Sequence, residues 1–289
     1  MYLDHFGLKE TPFGITPDTG FLFGASAHQD ALTTVGLAVR GGEGFVKVTG
    51  EVGTGKTLLC RALLHTLQAD CVTAYIPNPR LTPREMLRTL ADELALGVHR
   101  KSASHDFYES VERALLGCAE QGKPVVLCVD EAQAMPVETL EALRLLSNLE
   151  TGKRKLLQIV LFGQPELDGV LALPECRSLA SRIAFSARLA PLSAAEMQRY
   201  LQHRLVVAGW RGPEVFTPLA RWILRRASGG VPRRANILAH KGLMLAFGDG
   251  VHRVGWRHAW TAARDSRLPR RRSAGVARRP SSLSIGAHS

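Results

Sequence analysis

Residues 50 to 57 constrain this chain more than any others; they read Gly50-Glu51-Val52-Gly53-Thr54-Gly55-Lys56-Thr57. The pattern G-x-x-x-x-G-K-[ST] belongs between a strand and a helix, where backbone amides turn inward around a polyphosphate. The context fits. Phe45-Val46-Lys47-Val48-Thr49 reads as a strand, and Lys56 to Gln68 reads as a helix. The glycines let the backbone wrap closely around phosphate, and the helix N-terminus adds its positive end. On this reading Gly50, Glu51, Val52, Gly53, Thr54, Gly55, Lys56, Thr57 and Leu58 form the nucleotide-binding stretch. Lys56 reaches the β- and γ-phosphates and Thr57 ligates Mg²⁺ through its hydroxyl, so ATP and Mg²⁺ are the expected ligands.

A second element has to supply the metal's carboxylate. Val125-Val126-Leu127-Cys128-Val129 runs straight into Asp130-Glu131. An unbroken apolar run is what a central parallel strand covered on both faces looks like, and open α/β sheets place ligands at the carboxyl ends of such strands. Asp130 is the expected Mg²⁺ ligand, and Glu131 the group that polarises the attacking water. Asp130-Glu131-Ala132-Gln133 also has the form of a helicase box. Such helicases need a second nucleotide-binding domain, for which the remaining residues leave no room.

Strand and helix patterns alternate on either side. Strands are expected at Cys71–Ile76, Leu156–Phe162 and Ile183–Leu189, and helices near Pro83–Leu96, Asp106–Gln121 and Val137–Leu149, the last with Leu140, Leu143, Leu146 and Leu149 on one stripe. This implies a parallel, doubly wound sheet sandwiched by helices. After Pro191 the pattern becomes helical only. Ser193 and Glu196 form a capping box for a helix with Met197, Tyr200, Leu201 and Leu205 on one face. A second helix is expected to present Phe216, Leu219, Ile223 and Leu224, and a third to run from Arg233 to Phe247. The expected class is therefore α/β, a P-loop NTPase sheet with a small C-terminal helical lid. The expected division is an N-terminal segment and helix (1–42, helix His28–Arg40) packing on the ATPase core, the nucleotide-binding domain (43–190), the lid (191–263) and a basic disordered tail (264–289).

Three further polar positions sit where a phosphate site would use them. Gln164 ends the strand before Pro165; it either touches the γ-phosphate and lytic water or marks a strand-ending turn. Arg182 precedes the last strand and is placed to reach a neighbouring subunit's γ-phosphate as an arginine finger, with Arg177 as the other candidate. Arg233 follows Pro232 at the start of the third lid helix and can sense phosphate from the lid side. Phe13 or Leu22–Phe23 is placed to pack on the base.

Net charge is +11, but residues 261–289 hold seven arginines against one aspartate. More than half of the basicity is therefore in the tail, which weakens any inference from charge to a nucleic-acid-binding domain. The tail has two readings, a solvated polycation or a contact with acidic lipid or an acidic partner. The five cysteines are odd in number and widely spaced, as expected of reduced thiols in the cytoplasm. No apolar run approaches the roughly 20 residues of a membrane span.

Taken in order, the phosphate loop, the Asp130-Glu131 strand, the polar strand end at Gln164, Ser181-Arg182 before a strand and a lid opening with Pro232-Arg233 resemble AAA+ ATPases. More narrowly, several further stretches are similar to the ExeA/GspA-type ATPases of type II secretion and type IV pilus systems, MSHA-like pili among them. These are Phe6-Gly7-Leu8, Pro12-Phe13, Thr16-Pro17-Asp18, His28-Gln29, Gly42-Glu43-Gly44-Phe45, Leu145 to Glu150 and Gly163-Gln164-Pro165-Glu166-Leu167. The resemblance is to the shorter members, which lack the membrane span and peptidoglycan-binding domain of the longer ones. It implies ATP hydrolysis, with Asp130 and Glu131 as the Walker B pair, Gln164 as sensor 1, Arg182 as finger and Arg233 as sensor 2. It also implies a homo-oligomeric ring, a hexamer being one candidate size. The protein would be cytoplasmic or peripheral at the inner membrane, with pilus or secretion assembly proteins as partners and no specific nucleic acid. The alternative is a DNA-associated AAA+ protein such as a transposition or replication regulator.

Overall fold

A computed structural model describes residues 2–96, 104–151 and 154–266. Five strands, β1 (Phe45–Gly50), β2 (Val72–Ile76), β3 (Val125–Val129), β4 (Leu157–Gly163) and β5 (Ile183–Leu189), form one all-parallel sheet in the order β2-β3-β4-β1-β5. All five residues of β3 and all seven of β4 are buried, as their apolar runs require.

Side chains alternate across each strand, so each run feeds two cores. Val125, Leu127 and Val129 face one core with Leu157, Ile159 and Leu161. That core is closed by helices α3 (Pro83–Glu93), α4 (Ser104–Glu120) and α5 (Val137–Leu146). Val126, Cys128, Val160 and Phe162 face the other, closed by α1 (Ser26–Gly41) and α2 (Lys56–Leu67). The α5 stripe is shorter than expected. The helix ends at Leu146 with Ser147 as cap, and Leu149 packs against the core from the following turn.

Four helices of the C-terminal part, α6 (Ala194–Val207), α7 (Pro218–Ser228), α8 (Pro232–Gly248) and α9 (Trp256–Asp265), enclose a separate core. Met197, Tyr200, Leu201 and Leu205 are buried as expected. Leu219 is not: it is 52% exposed at the start of α7, while Phe216 is buried just ahead of the helix. Helix α9 has no counterpart in the sequence reading, and it carries helix two residues beyond the expected lid limit at 263. The expected disordered tail otherwise lies outside the described residues.

The N-terminal segment divides between the two cores. Helix α1 packs on the sheet, and Arg61 of α2 donates to the Pro17 carbonyl at 3.2 Å. Phe6, Leu8, Phe13, Phe21 and Ala25 are buried among the lid helices. Arg204 of α6 donates to the Pro12 carbonyl at 2.5 Å, and its guanidinium lies 4.4 Å over the Phe21 ring. Asn236 of α8 donates to the Gly14 carbonyl at 2.8 Å. Phe13 is thus a core residue, 2% exposed, against Phe216 rather than open to a base.

Candidate nucleotide site

Register sets the site. Thr49 of β1 lies beside Gly163 of β4, and Leu161 of β4 beside Val129 of β3. The carboxyl ends of these strands are therefore level, and Gly50, Asp130 and Gln164 emerge along one sheet edge.

From that edge the 50–57 loop turns into α2. Gly53 and Gly55 have φ of 83° and 101°, a left-handed conformation open to glycine without strain. Thr54 Oγ1 donates to the Glu51 carbonyl at 2.8 Å, closing the loop on itself. Lys56 is 5% exposed, and its ammonium donates to the Gly50 and Glu51 carbonyls at 2.8 and 3.2 Å. Burial pulls its pKa below the usual lysine value, against the opposing pull of Glu131, Asp130, Glu51 and Glu166. To meet a phosphate, Lys56 has to exchange those carbonyls for phosphate oxygens.

Thr57 Oγ1 donates to Asp130 Oδ2 at 2.6 Å, bringing the two expected metal ligands together. Asp130 is 3% exposed and also accepts from the Glu131 amide at 2.9 Å. The pair is all oxygen, one hydroxyl and one carboxylate, which suits a hard divalent cation that keeps several waters. Burial first and the Asp130 carboxylate second push nearby Tyr75 up to about 12.

Glu131 follows with φ of 52°, one of two non-glycine residues with positive φ among those described. That turn aims its carboxylate at two amides. Gln133 Nε2 donates to Glu131 Oε2 at 2.5 Å, and Gln164 Nε2 donates to the same oxygen at 2.8 Å. The Gln164 backbone amide donates to Gln133 Oε1 at 2.9 Å, so the three residues close a ring. Burial alone raises the Glu131 pKa. The hydrogen bonds from Gln164 and Gln133, with the Lys56 charge, outweigh it and hold the carboxyl below its ordinary value.

Sequence reasoning gave Gln133 and His28 no role at the site. His28 of α1 is 8% exposed, and its Nε2 lies 2.8 Å from the Thr54 carbonyl. Burial holds its pKa below the ordinary value, so the neutral ring donates from Nε2. A side chain at Gly55 would come within 3.0 Å of that nitrogen. The ring thus props the loop from behind. The signal for both residues was present, as a polar residue two positions beyond the acidic pair and a histidine on the helix preceding the loop.

Of the remaining expected residues, Arg233 meets the loop through its backbone. Its amide donates to the Gly53 carbonyl at 3.1 Å, and its side chain is exposed. Arg182 stands apart from this cluster: its Nη1 donates to Ser147 Oγ at 3.3 Å and to Asn148 Oδ1. Arg177 is exposed.

Comparison with known proteins agrees with this architecture. Residues 39–171 match the family model described as AAA domain. The chain is 43% identical over 254 residues to General secretion pathway protein A of Aeromonas hydrophila, an alignment covering 88% of this chain and 46% of that protein. The chain thus spans about half the length of the curated relative it matches. Among solved structures it is similar to the ORC2 protein of Aeropyrum pernix (TM-score 0.63, 17% identity, 89% of this chain and 72% of that one). It is also similar to the Thermotoga maritima RuvB Holliday junction branch migration motor (TM-score 0.57, 17% identity, 84% of this chain and 69% of that one). At such identities the likeness shows the fold alone, a parallel α/β sheet between helices followed by a helical lid.

Proposed function

We propose that this chain, which carries an AAA domain over residues 39–171, is an Mg²⁺-dependent ATPase of the ExeA/GspA kind serving a secretion or type IV pilus assembly system. One observation carries the ATPase reading: a phosphate loop, a Thr57–Asp130 oxygen pair 2.6 Å apart and a Glu131 carboxylate held by two amides all meet at one sheet edge. The 43% identity to General secretion pathway protein A supports the secretion link. The narrower assignment, to an MSHA-like pilus, rests on the short sequence stretches already quoted.

The loop amides from Gly50 to Thr57 and the α2 N-terminus bind the β- and γ-phosphates, with Lys56 moving onto them. Leu58, in the first turn of α2, would complete the nucleotide-binding stretch. Thr57 and Asp130 hold the divalent ion, which when bound neutralises charge building up on the transferred phosphoryl. Glu131 orients the attacking water and accepts its proton at Oε1 or Oε2. Gln164, whose Nε2 donates to Glu131 at 2.8 Å, would act as the sensor of which nucleotide is present. Arg233 senses phosphate from the lid, and Arg182 completes the site of a neighbouring subunit in a homo-oligomeric ring. The domain plan that serves this is a nucleotide-binding unit of residues 43–190 gripped by the 191–263 lid, working in the cytoplasm or at the inner membrane face.

Equilibrium binding of an ATP analogue with and without Mg²⁺, beside steady-state phosphate release, tests the reading. Binding that Lys56→Ala abolishes, and release that needs Mg²⁺, are expected. Phosphate release that persists unchanged in Lys56→Ala would sink it.

A further inference from the structure

Three of the chain's four tryptophans stand in solvent, and none belongs to the nucleotide site. Trp222 is 60% exposed, Trp256 51% and Trp260 53%. Trp210 is the exception, half-buried against the Phe6 ring with its indole N–H donated to the Pro213 carbonyl. Exposed aromatics of this size in a soluble core fold usually have somewhere to go.

Their placement says where. Helix α9 buries its alanines, Ala259 and Ala262, against the lid core. Trp256, Trp260 and Arg264 follow one another at four-residue steps and so form one outward stripe. Arg257 lies beside it with its guanidinium 5.5 Å from the Trp256 ring centroid. Arg253 is exposed just ahead of the helix. Trp222 points outward from α7, opposite the buried Ala220 and Leu224, and α7 packs alongside α9. The acidic groups near this surface are Asp249, which accepts from His258, Asp265, which lies 4.0 Å from Arg264, and Glu214, which pairs with Arg221 of α7 at 2.7 Å and attracts Arg253. Beyond Asp265 the sequence contains Arg267, Arg270, Arg271, Arg272, Arg278 and Arg279 and not one acidic residue.

We propose that the outward face of α9, its Trp256–Trp260–Arg264 stripe with Arg257 beside it, docks the protein on an anionic membrane surface. Tryptophan prefers the headgroup level, where its ring is apolar and its N–H stays wet. Arginine beside it pairs with headgroup phosphates while its stem covers apolar surface. A run of four to eight basic residues next to an amphipathic helix adds a long-range attraction to anionic lipid. A nucleic-acid strand would instead call for aromatics lining a basic groove, and these rings stand on the outer faces of two helices. The docking surface owes nothing to nucleotide chemistry, so its failure leaves the ATPase reading intact.

The test uses the full chain with vesicles of phosphatidylethanolamine and phosphatidylglycerol, and with vesicles of phosphatidylcholine alone. Tryptophan emission should shift to the blue, and lipids brominated on the acyl chain should quench it, with the anionic vesicles only. Co-sedimentation should weaken as salt rises from about 0.05 to 0.5 M, as the Debye length shrinks. Trp256→Ala/Trp260→Ala should bind vesicles about tenfold more weakly or worse, with lipid-free ATP turnover unchanged. The wild-type emission and quenching measurements stand even if that variant folds poorly. Any one of three results overturns the proposal: no shift with anionic vesicles, equal binding to neutral ones, or undiminished binding by a folded double variant. A shift produced by short DNA or by raising protein concentration, and absent with lipid, does so as well.

Discussion

Glu131 is the residue on which the proposed turnover depends. Its carboxylate can accept a proton from water, and an amide in its place cannot. Glu131→Gln should therefore retain ATP binding while turnover falls about 10²- to 10⁴-fold; phosphate release within threefold of wild type would contradict the assignment. Gln133 acts through Glu131 and touches no reacting atom, so it is a positioning residue. Its hydrogen bond favours the charged carboxylate and helps hold the pKa down. Gln133→Ala should therefore lower kcat with little change in KM. It should also move the acidic limb of the kcat–pH profile upward, because a base with a higher pKa is protonated sooner as pH falls. A purely structural role would leave that limb in place. Neither effect was legible in the residue order, since the left-handed turn at Glu131 decides where its carboxylate points.

Among the elements, those that were legible are those whose neighbours are forced. The central strands β3 and β4 could be read because parallel strands buried on both faces must be apolar throughout, and the 50–57 loop because phosphate binding needs glycine at fixed spacing. Helix α9 escaped because its buried face is alanine, which leaves no large apolar stripe, while its tryptophans point outward. The docking of residues 6–25 against the lid was not legible because its partners, Arg204 and Asn236, lie about 190 to 220 residues away in the chain, beyond any local pattern. The capping box on α6 was legible, but its second use was not. Glu196 Oε2 accepts from the Ser193 amide at 2.9 Å, while Oε1 accepts from the Ser26 amide and hydroxyl at 3.1 and 2.8 Å. One carboxylate thus ties the start of α1 to the start of α6. These bonds, Ser193 first, hold its pKa at about 2 against an ordinary value of 4.5. A depressed carboxylate stabilises the fold above its unfolded pKa, and that stability is lost as pH falls through the folded value. Glu196→Ala should cost about 1–2 kcal/mol near neutral pH. In urea melts the gap from wild type should close between pH 4.5 and 2; a gap constant over that window would rule the clamp out.

At the scale of the whole molecule, the phosphate loop is where the two halves meet. The lid reaches it through the Arg233 amide on the Gly53 carbonyl, and α1 reaches it through His28 on the Thr54 carbonyl. A methyl at Gly53 would come within 2.6 Å of Arg233 Cβ, and φ there is 83°, so Gly53→Ala should both strain the loop and push the lid away. Loss of nucleotide binding with only a modest fall in Tm is the expected signature, read by analogue titration and a thermal melt. Arg182 is different in kind, because in this chain it is tied to Ser147 and Asn148 rather than to the Glu131 cluster. If it completes a neighbour's site, two crippled proteins should rescue each other. Arg182→Ala subunits keep the Glu131 base but offer no finger; Glu131→Gln subunits offer the finger but keep no base. Each alone should hydrolyse ATP on the order of 10³-fold slower or worse. Mixed, they create junctions where an intact Glu131 faces an intact Arg182, and phosphate release should recover to a sizeable fraction of wild type as the ratio approaches one to one. Additive, near-zero rates at every ratio, with light scattering showing that both variants still assemble in ATP analogue, would mean that Arg182 serves its own chain and that the site needs no neighbour's arginine.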